Sequence, residues 1–123
     1  MINRAVLILK YQEPSLQWLN ETDPEDENPQ FTLEDLNREN TVYLISEEDS
    51  ESPDTLNEWL ELNFQTLFES ELENWCSEEK LWPQDRTFAL FKQWFSFDCH
   101  TIIVDTVDAP IVDVEDDIDD IYH

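Results

Sequence analysis

The fold is decided by residues 52–68, SPDTLNEWLELNFQTLF, which carry the strongest helix signal in the chain. Ser52 can cap the first turn, Pro53 suits the first helical position, and Asp54 lies near the positive end of the helix dipole. Large apolar residues then recur at spacings of three and four, so they share one helix face. They are Leu56, Trp59, Leu60, Phe64, Leu67 and Phe68. The sequence therefore predicts an amphipathic helix that begins at Pro53 and packs on a core.

One acidic residue interrupts this pattern. If the helix ran unbroken to Cys76, Glu71 would lie inside the apolar arc. Residues 70–73, SELE, also match a capping-box pattern, which is typical of a helix start. We therefore predict a kink or a restart of the helix near Ser70.

Three segments outside this helix predict β-strands. Residues 4–11, RAVLILKY, form an apolar run between charged ends and are typical of a buried strand. Residues 41–46 and 97–107 are rich in β-branched and aromatic residues, which favour strands. The sequence thus supplies one strand before the main helix, one immediately before it, and one near the end.

Shorter helices fill the intervals between the strands. Thr32 followed by Asp35 predicts a helix over about residues 32–38, and residues 15–20 predict a single helical turn. Residues 85–95 predict a helix that is apolar around most of its circumference. The order strand-helix-strand-helix-helix-strand predicts an α+β fold, with a largely antiparallel sheet of about three strands and helices on one face. We expect one domain over residues 1–108 and an acidic, partly flexible tail over 109–123.

The charge of the chain limits its partners. Asp and Glu number 31 against 6 Lys and Arg, so the net charge is −25. A surface of this kind repels nucleic-acid backbones and anionic membranes and attracts basic proteins. We therefore expect no direct nucleic-acid binding, no membrane binding and a basic protein partner. Five Trp, seven Phe and three Tyr argue against a disordered acidic chain.

The composition also speaks against several kinds of chemistry. The chain has no glycine. Because both a P-loop and a dinucleotide-binding fingerprint require glycine residues, the chain contains neither motif. Cys99 and His100 are neighbours on a predicted strand, where their side chains point to opposite faces and cannot share a zinc ion. We predict no cofactor, no metal site and no catalytic residue. The tail acids Asp113, Glu115, Asp117 and Asp119 lack an EF-hand framework, so we expect only weak binding of divalent cations.

The candidate binding surface is the exposed side of the main helix. We define the acidic ridge as Asp54, Glu58, Glu61, Glu69 and Glu73, and the loop acids as Glu47, Glu48, Asp49 and Glu51. Trp82 and Arg86 are the candidate anchor residues. Arg86 should also bind a carboxylate and pack its stem on Trp82.

These features predict a non-enzymatic interaction protein that masks a basic surface of a partner macromolecule. The sharpest forms of this hypothesis are a nucleic-acid mimic and a toxin-neutralising protein. The apolar run Ala5–Leu9 is too short for a signal peptide or a membrane span, so we expect a cytoplasmic location.

Several motifs resemble those of a set of small acidic bacterial proteins of uncharacterised function. The motifs are EWL at 58–60, LFE at 67–69, ENWC at 73–76, LWPQDRTF at 81–88 and WF at 94–95. They lie within residues 41–105, about half of the chain. The resemblance implies a bacterial source, and it transfers no activity and no site residue.

Two alternatives stay open at this point. The charge could serve only solubility or adaptation to salt, which predicts strong stabilisation by salt and no specific partner. Alternatively, a carboxylate pair could act as the catalytic group of an enzyme, which predicts a concave pocket that holds acids with a raised pKa.

Overall fold

A computed structural model describes residues 1–22 and 31–114, and the structural statements below refer to these residues. The elements are β1 (Arg4–Tyr11), α1 (Glu13–Thr22), α2 (Leu33–Leu36), β2 (Val42–Ser46), α3 (Pro53–Glu73), a 3-10 turn (Glu79–Leu81), α4 (Phe88–Trp94) and β3 (Phe95–His100). The three strands form an antiparallel sheet in the order β2-β1-β3. The predicted α+β class is confirmed.

The central strand β1 organises the core. Its side chains alternate, so Ala5, Leu7, Leu9 and Tyr11 are buried on the face that carries the helices. These residues belong to one apolar cluster, in which the largest fully buried side chains are Phe68 and Phe91. The apolar run that predicted a buried strand is therefore the middle strand of the sheet.

Two of the predicted helix starts are confirmed by their caps. Ser52 Oγ accepts a hydrogen bond from the Thr55 backbone N–H at 3.1 Å, and Pro53 begins α3. Thr32 and Asp35 form a complete capping box at the start of α2. These contacts satisfy backbone donors that a helix cannot pair internally.

The predicted restart of the helix near Ser70 is wrong, because α3 runs without interruption over 21 residues. Glu71 lies inside the apolar arc, as an unbroken helix requires, and it is 1% exposed. Its two oxygens accept hydrogen bonds from the hydroxyls of Tyr11 and Tyr43. Hydrogen bonding compensates the cost of burying a polar group, so the helix needs no interruption.

Three other boundaries differ from the predictions. The expected single turn at residues 15–20 is the ten-residue helix α1. Helix α4 begins at Phe88 rather than at Asp85, because Thr87 caps it by accepting the Leu90 N–H. Strand β3 runs over Phe95–His100 rather than 97–107, since its pairing with β1 ends at Val6.

Residues 101–114 follow β3 without regular secondary structure. The Ile2 N–H donates to the Ile103 carbonyl at 2.8 Å, which keeps this part of the chain beside the start of β1. The predicted domain boundary at residue 108 stays a prediction, and tail residues 115–123 lie outside the described residues. Within the described ranges, no helix combines the length and the apolar character needed to cross a membrane.

We expect Ser52→Ala to lower the free energy of unfolding by about 1 kcal/mol, because α3 loses its side-chain cap. Urea denaturation followed by circular dichroism measures this change. Ser77→Ala, at an exposed serine beyond α3, is the matched control and should stay within about 0.5 kcal/mol of wild type. Equal losses in the two variants would contradict the role of the cap.

Candidate functional site

The acidic ridge occupies one side of α3. At about 100° per residue, its five members fall within an arc of about 120° along roughly 28 Å of helix. Asp54, Glu58, Glu61 and Glu73 are exposed, and Glu69 is half-buried. The helix therefore aligns carboxylates that the sequence spaces over 20 positions.

The loop acids lie where β2 leads into α3. Glu47, Glu48 and Glu51 are exposed. Asp49 is half-buried and accepts a hydrogen bond from the Ser46 hydroxyl at 2.7 Å, while Ser46 Oγ accepts the Asp49 N–H. These contacts close a turn, so the loop acids extend the negative charge next to the N-terminal end of the ridge.

The predicted contact of Arg86 with a carboxylate is confirmed, and its guanidinium lies near the Trp82 ring. Its Nη2 lies 3.6 Å from Glu69 Oε1, and its guanidinium carbon lies 5.8 Å from the centroid of the Trp82 ring. Its Nη1 also donates to the Pro83 carbonyl at 2.8 Å. Arg86 thus neutralises Glu69 of the ridge, and the contacts of its guanidinium are made within the molecule.

The expectation that Trp82 is an exposed anchor is wrong. Trp82 is 5% exposed and belongs to the apolar core. Its indole N–H donates to the Cys76 carbonyl at 2.8 Å, so its one polar group is satisfied internally. With Trp82 buried and Arg86 committed to Glu69, neither residue offers a partner a free contact surface.

An exposed leucine lies on the ridge itself. Leu62 is 85% exposed, and its position on α3 places it inside the arc that the ridge occupies. Leu62 was not among the residues predicted for the binding surface. The available signal was that Leu62 falls outside the three-and-four spacing that unites Leu60 and Phe64 on the core face.

A buried hydrogen-bond network lies on the other side of α3. The Tyr11 hydroxyl donates to Glu71 Oε1 at 2.7 Å, and the Tyr43 hydroxyl donates to Glu71 Oε2. The Trp75 indole N–H donates to the Tyr11 hydroxyl oxygen at 2.9 Å. The network joins α3 to β1 and β2 through a single carboxylate.

The tyrosines of this network resist ionisation. Burial, and then the neighbouring Glu71, raise the pKa of Tyr11 far above its usual value. Burial, followed by the hydrogen bond to Glu71, raises the pKa of Tyr43 in the same direction. Both hydroxyls therefore stay protonated and keep donating to Glu71.

A cavity of about 290 Å³ opens beside this network, lined by Tyr11, Asp35, Leu36, Arg38, Glu39, Thr41, Glu71, Asn74 and Trp75. Both oxygens of Glu71 are already engaged by tyrosine hydroxyls. Hydrogen bonds from the Thr32 backbone and side chain, and then Arg38, hold the pKa of Asp35 below its usual range. A lowered pKa is the opposite of what a general acid requires.

The cysteine thiols and the tail acids are further groups that could bind a metal ion. Cys99 pairs with Leu7 on the helix-covered face, whereas His100 pairs with Val6 on the other face, so the predicted divergence of their side chains is confirmed. Cys76 and Cys99 are free thiols. Within residues 1–22 and 31–114, no group of three or more His, Cys, Asp or Glu side chains could hold a metal ion. Three of the four tail acids, at positions 115, 117 and 119, lie outside these ranges.

Comparison with known protein families, curated proteins and solved structures found no match for this chain. The resemblance of residues 41–105 to small acidic bacterial proteins therefore stays a prediction.

We expect Tyr11 and Tyr43 to remain un-ionised until the protein unfolds. Their folded-state pKa values exceed the unfolded value of about 10, so their contribution to stability is present below pH 10 and is lost as the pH rises further. Absorbance at 295 nm in a Tyr122→Phe variant, which removes the remaining tyrosine, measures this directly. The same variant unfolded in urea should titrate near pH 10. A reversible titration near pH 10 in the folded variant would contradict the network.

We expect Glu71→Ala to destabilise the fold by about 3 kcal/mol, because the buried Tyr11 hydroxyl and the part-buried Tyr43 hydroxyl both lose their acceptor. Glu73→Ala, two residues further along the same helix and exposed, should stay within about 0.5 kcal/mol of wild type. Urea denaturation of both variants provides the comparison. A small loss in Glu71→Ala would show that the carboxylate does not hold α3 on the sheet.

Proposed function

We propose that this protein is a non-enzymatic acidic interaction protein that masks a basic surface of a partner macromolecule in the bacterial cytoplasm. The observation that carries the proposal is the alignment of the acidic ridge on one side of α3. Leu60 and Phe68 on α3 are fully buried in the core. Because this packing fixes the helix, the backbone that carries the ridge carboxylates is rigid. A rigid row of like charges presents a coherent negative field to a partner.

Most of the ridge has no cation beside it. Among the described residues, the ion pairs of Lys and Arg go to Asp35, Glu69, Glu78 and Asp98. The other four ridge members, Asp54, Glu58, Glu61 and Glu73, take part in none of these pairs. Their charge is available to basic side chains of another protein.

The charge density of the ridge is lower than that of a nucleic-acid strand. Because Arg86 neutralises Glu69, four unpaired carboxylates over about 28 Å give roughly one charge per 9 Å, whereas one DNA strand carries about one per 3.4 Å. The ridge alone therefore has about a third of the charge density of a single strand, and the loop acids raise the density at one end. Nucleic-acid mimicry and toxin neutralisation are both forms of this proposal.

Leu62 supplies the apolar contact that such an interface needs. Charge complementarity mainly speeds association, while affinity comes from a few well-packed central residues. Leu62 lies between Glu58 and Glu69 along the ridge and is 85% exposed. An apolar side chain surrounded by charges matches the arrangement of a hydrophobic interface centre with a polar rim.

We expect a triple variant, Asp54→Asn with Glu58→Gln and Glu61→Gln, to associate about tenfold more slowly with its partner at 0.1 M salt. The partner is first recovered by native pull-down at low salt, elution at high salt and mass spectrometry. The matched control neutralises three exposed acids outside α3, as Glu39→Gln with Glu79→Gln and Asp85→Asn. The difference between the variants should shrink at 1 M salt, where screening acts within about 3 Å.

The proposal fails if both triple variants lose the same amount, or if binding is unchanged at molar salt. Steep stabilisation by KCl in the absence of any saturable basic partner would favour salt adaptation instead.

We expect Leu62→Ala to raise the Kd for that partner about fivefold to tenfold, chiefly through faster dissociation. Leu81→Ala, at a leucine that is 42% exposed outside α3, should leave the Kd within about twofold. Surface plasmon resonance separates the two rate constants. Equal effects of the two substitutions would remove Leu62 as the anchor.

A further inference from the structure

Among the described residues, no helix covers the second face of the sheet, and four of the ten strand side chains on this face are aliphatic. The register places Val6 beside Leu44 and Ile8 beside Val42 on this side. Val42 is 53% exposed and Leu44 is 52% exposed. We call these four aliphatic side chains the open-face patch.

This patch departs from the usual pattern of a sheet with one solvated face. Such sheets alternate apolar residues toward the core with polar residues toward water. Strand β1 instead carries Leu7 and Leu9 on the helix face and Val6 and Ile8 on the other. Apolar residues on both faces are typical of a strand that is covered on both sides. We therefore expect a second layer of protein to cover the patch.

A second apolar region without a covering layer follows β3. Residues 104–114, VDTVDAPIVDV, have no regular secondary structure, and we call them the exposed segment. Val104, Val107, Ile111 and Val112 are each between 63% and 68% exposed. The segment does not cover the open-face patch of its own chain, since Val42 and Leu44 remain half exposed.

The charges of the two regions are complementary. Arg4 and Lys10 lie on the same side of β1 as Val6 and Ile8, so two of the chain's 6 Lys and Arg flank the patch. Lys10 already bridges Asp98 at 2.7 Å. The exposed segment contains three aspartates, and no Lys or Arg follows Lys92 anywhere in the chain.

We propose that a second copy of this chain covers the open-face patch, with each copy laying its exposed segment on the sheet of the other. The arrangement is a symmetric dimer in which the same two regions are used twice. Val and Ile side chains of the segment pack on the aliphatic patch, and its aspartates face Arg4 and Lys10.

The available area supports this arrangement over contact between the two sheets alone. The open face of three short strands spans only about 300 Å², below the roughly 800 Å² that each partner contributes to a standard interface. An extended segment of 11 residues adds about 350 Å². Together the two regions reach about 650 Å² for each partner, at the low end of stable interfaces.

Sedimentation equilibrium of the full chain tests the proposal, in about 0.5 M NaCl to screen the repulsion between two copies of charge −25. We expect a monomer–dimer equilibrium between about 5 and 300 µM. Leu44→Lys should raise the dimer Kd at least about tenfold, because the added charge enters the interface at two symmetric places. Ile111→Lys should act in the same direction. Leu62→Lys makes the same charge change on α3 and should leave the Kd unchanged.

Circular dichroism melts confirm that each variant remains folded. A monomer at all concentrations would overturn the proposal, and the patch would then be open to a different molecule. A dimer that resists Leu44→Lys would place the interface elsewhere. A dimer that responds to Leu44→Lys but not to Ile111→Lys would overturn the role of the exposed segment.

Discussion

One buried carboxylate, held by two tyrosine hydroxyls, determines how the main helix lies on the sheet. Glu71 on α3 accepts from Tyr11 on β1 and from Tyr43 on β2, so one side chain links three elements. A buried acceptor that loses its donors costs far more than an average hydrogen bond contributes, so this contact tolerates little rotation or sliding of the helix. Glu71 lies about 140° around α3 from the centre of the acidic ridge. The network that holds the helix therefore also directs the ridge away from the sheet.

The molecule is held together by aromatic packing rather than by its charges. Phe68, Phe91 and Phe95 contact one another with ring centroids 5.2 to 5.8 Å apart. The four ion pairs among the described residues are mostly exposed, and such pairs each contribute at most about 1 kcal/mol. Because the fold depends so little on ion pairs, most carboxylates of residues 1–22 and 31–114 are available for contacts outside the molecule.

The parts of the structure that sequence reasoning predicted are those with local causes. The caps Ser52 and Thr32 act within three residues of themselves, and the contact of Arg86 with Trp82 spans four residues. The burial of Glu71 depends on Tyr11 and Tyr43, which are 60 and 28 residues away along the chain. No local sequence pattern indicates hydrogen-bond partners so far away along the chain. The apolar arc with a glutamate inside it was therefore interpreted as a break in the helix. The prediction that Trp82 is an exposed anchor was wrong for a related reason. Local sequence does not show which aromatic residues become buried in the tertiary core.

The two proposed surfaces are compatible because they lie on opposite sides of the molecule. The acidic ridge faces away from the sheet on the helix layer, and the open-face patch lies on the far side of the sheet. A dimer formed through the open faces would therefore leave two ridges pointing outward. Two linked ridges convert a second contact on an extended basic partner into an intramolecular event, which raises avidity without new contacts, provided that the spacing matches. A single ridge with about a third of the charge density of a DNA strand would gain most from this duplication, since the affinity of one ridge alone depends on few charges.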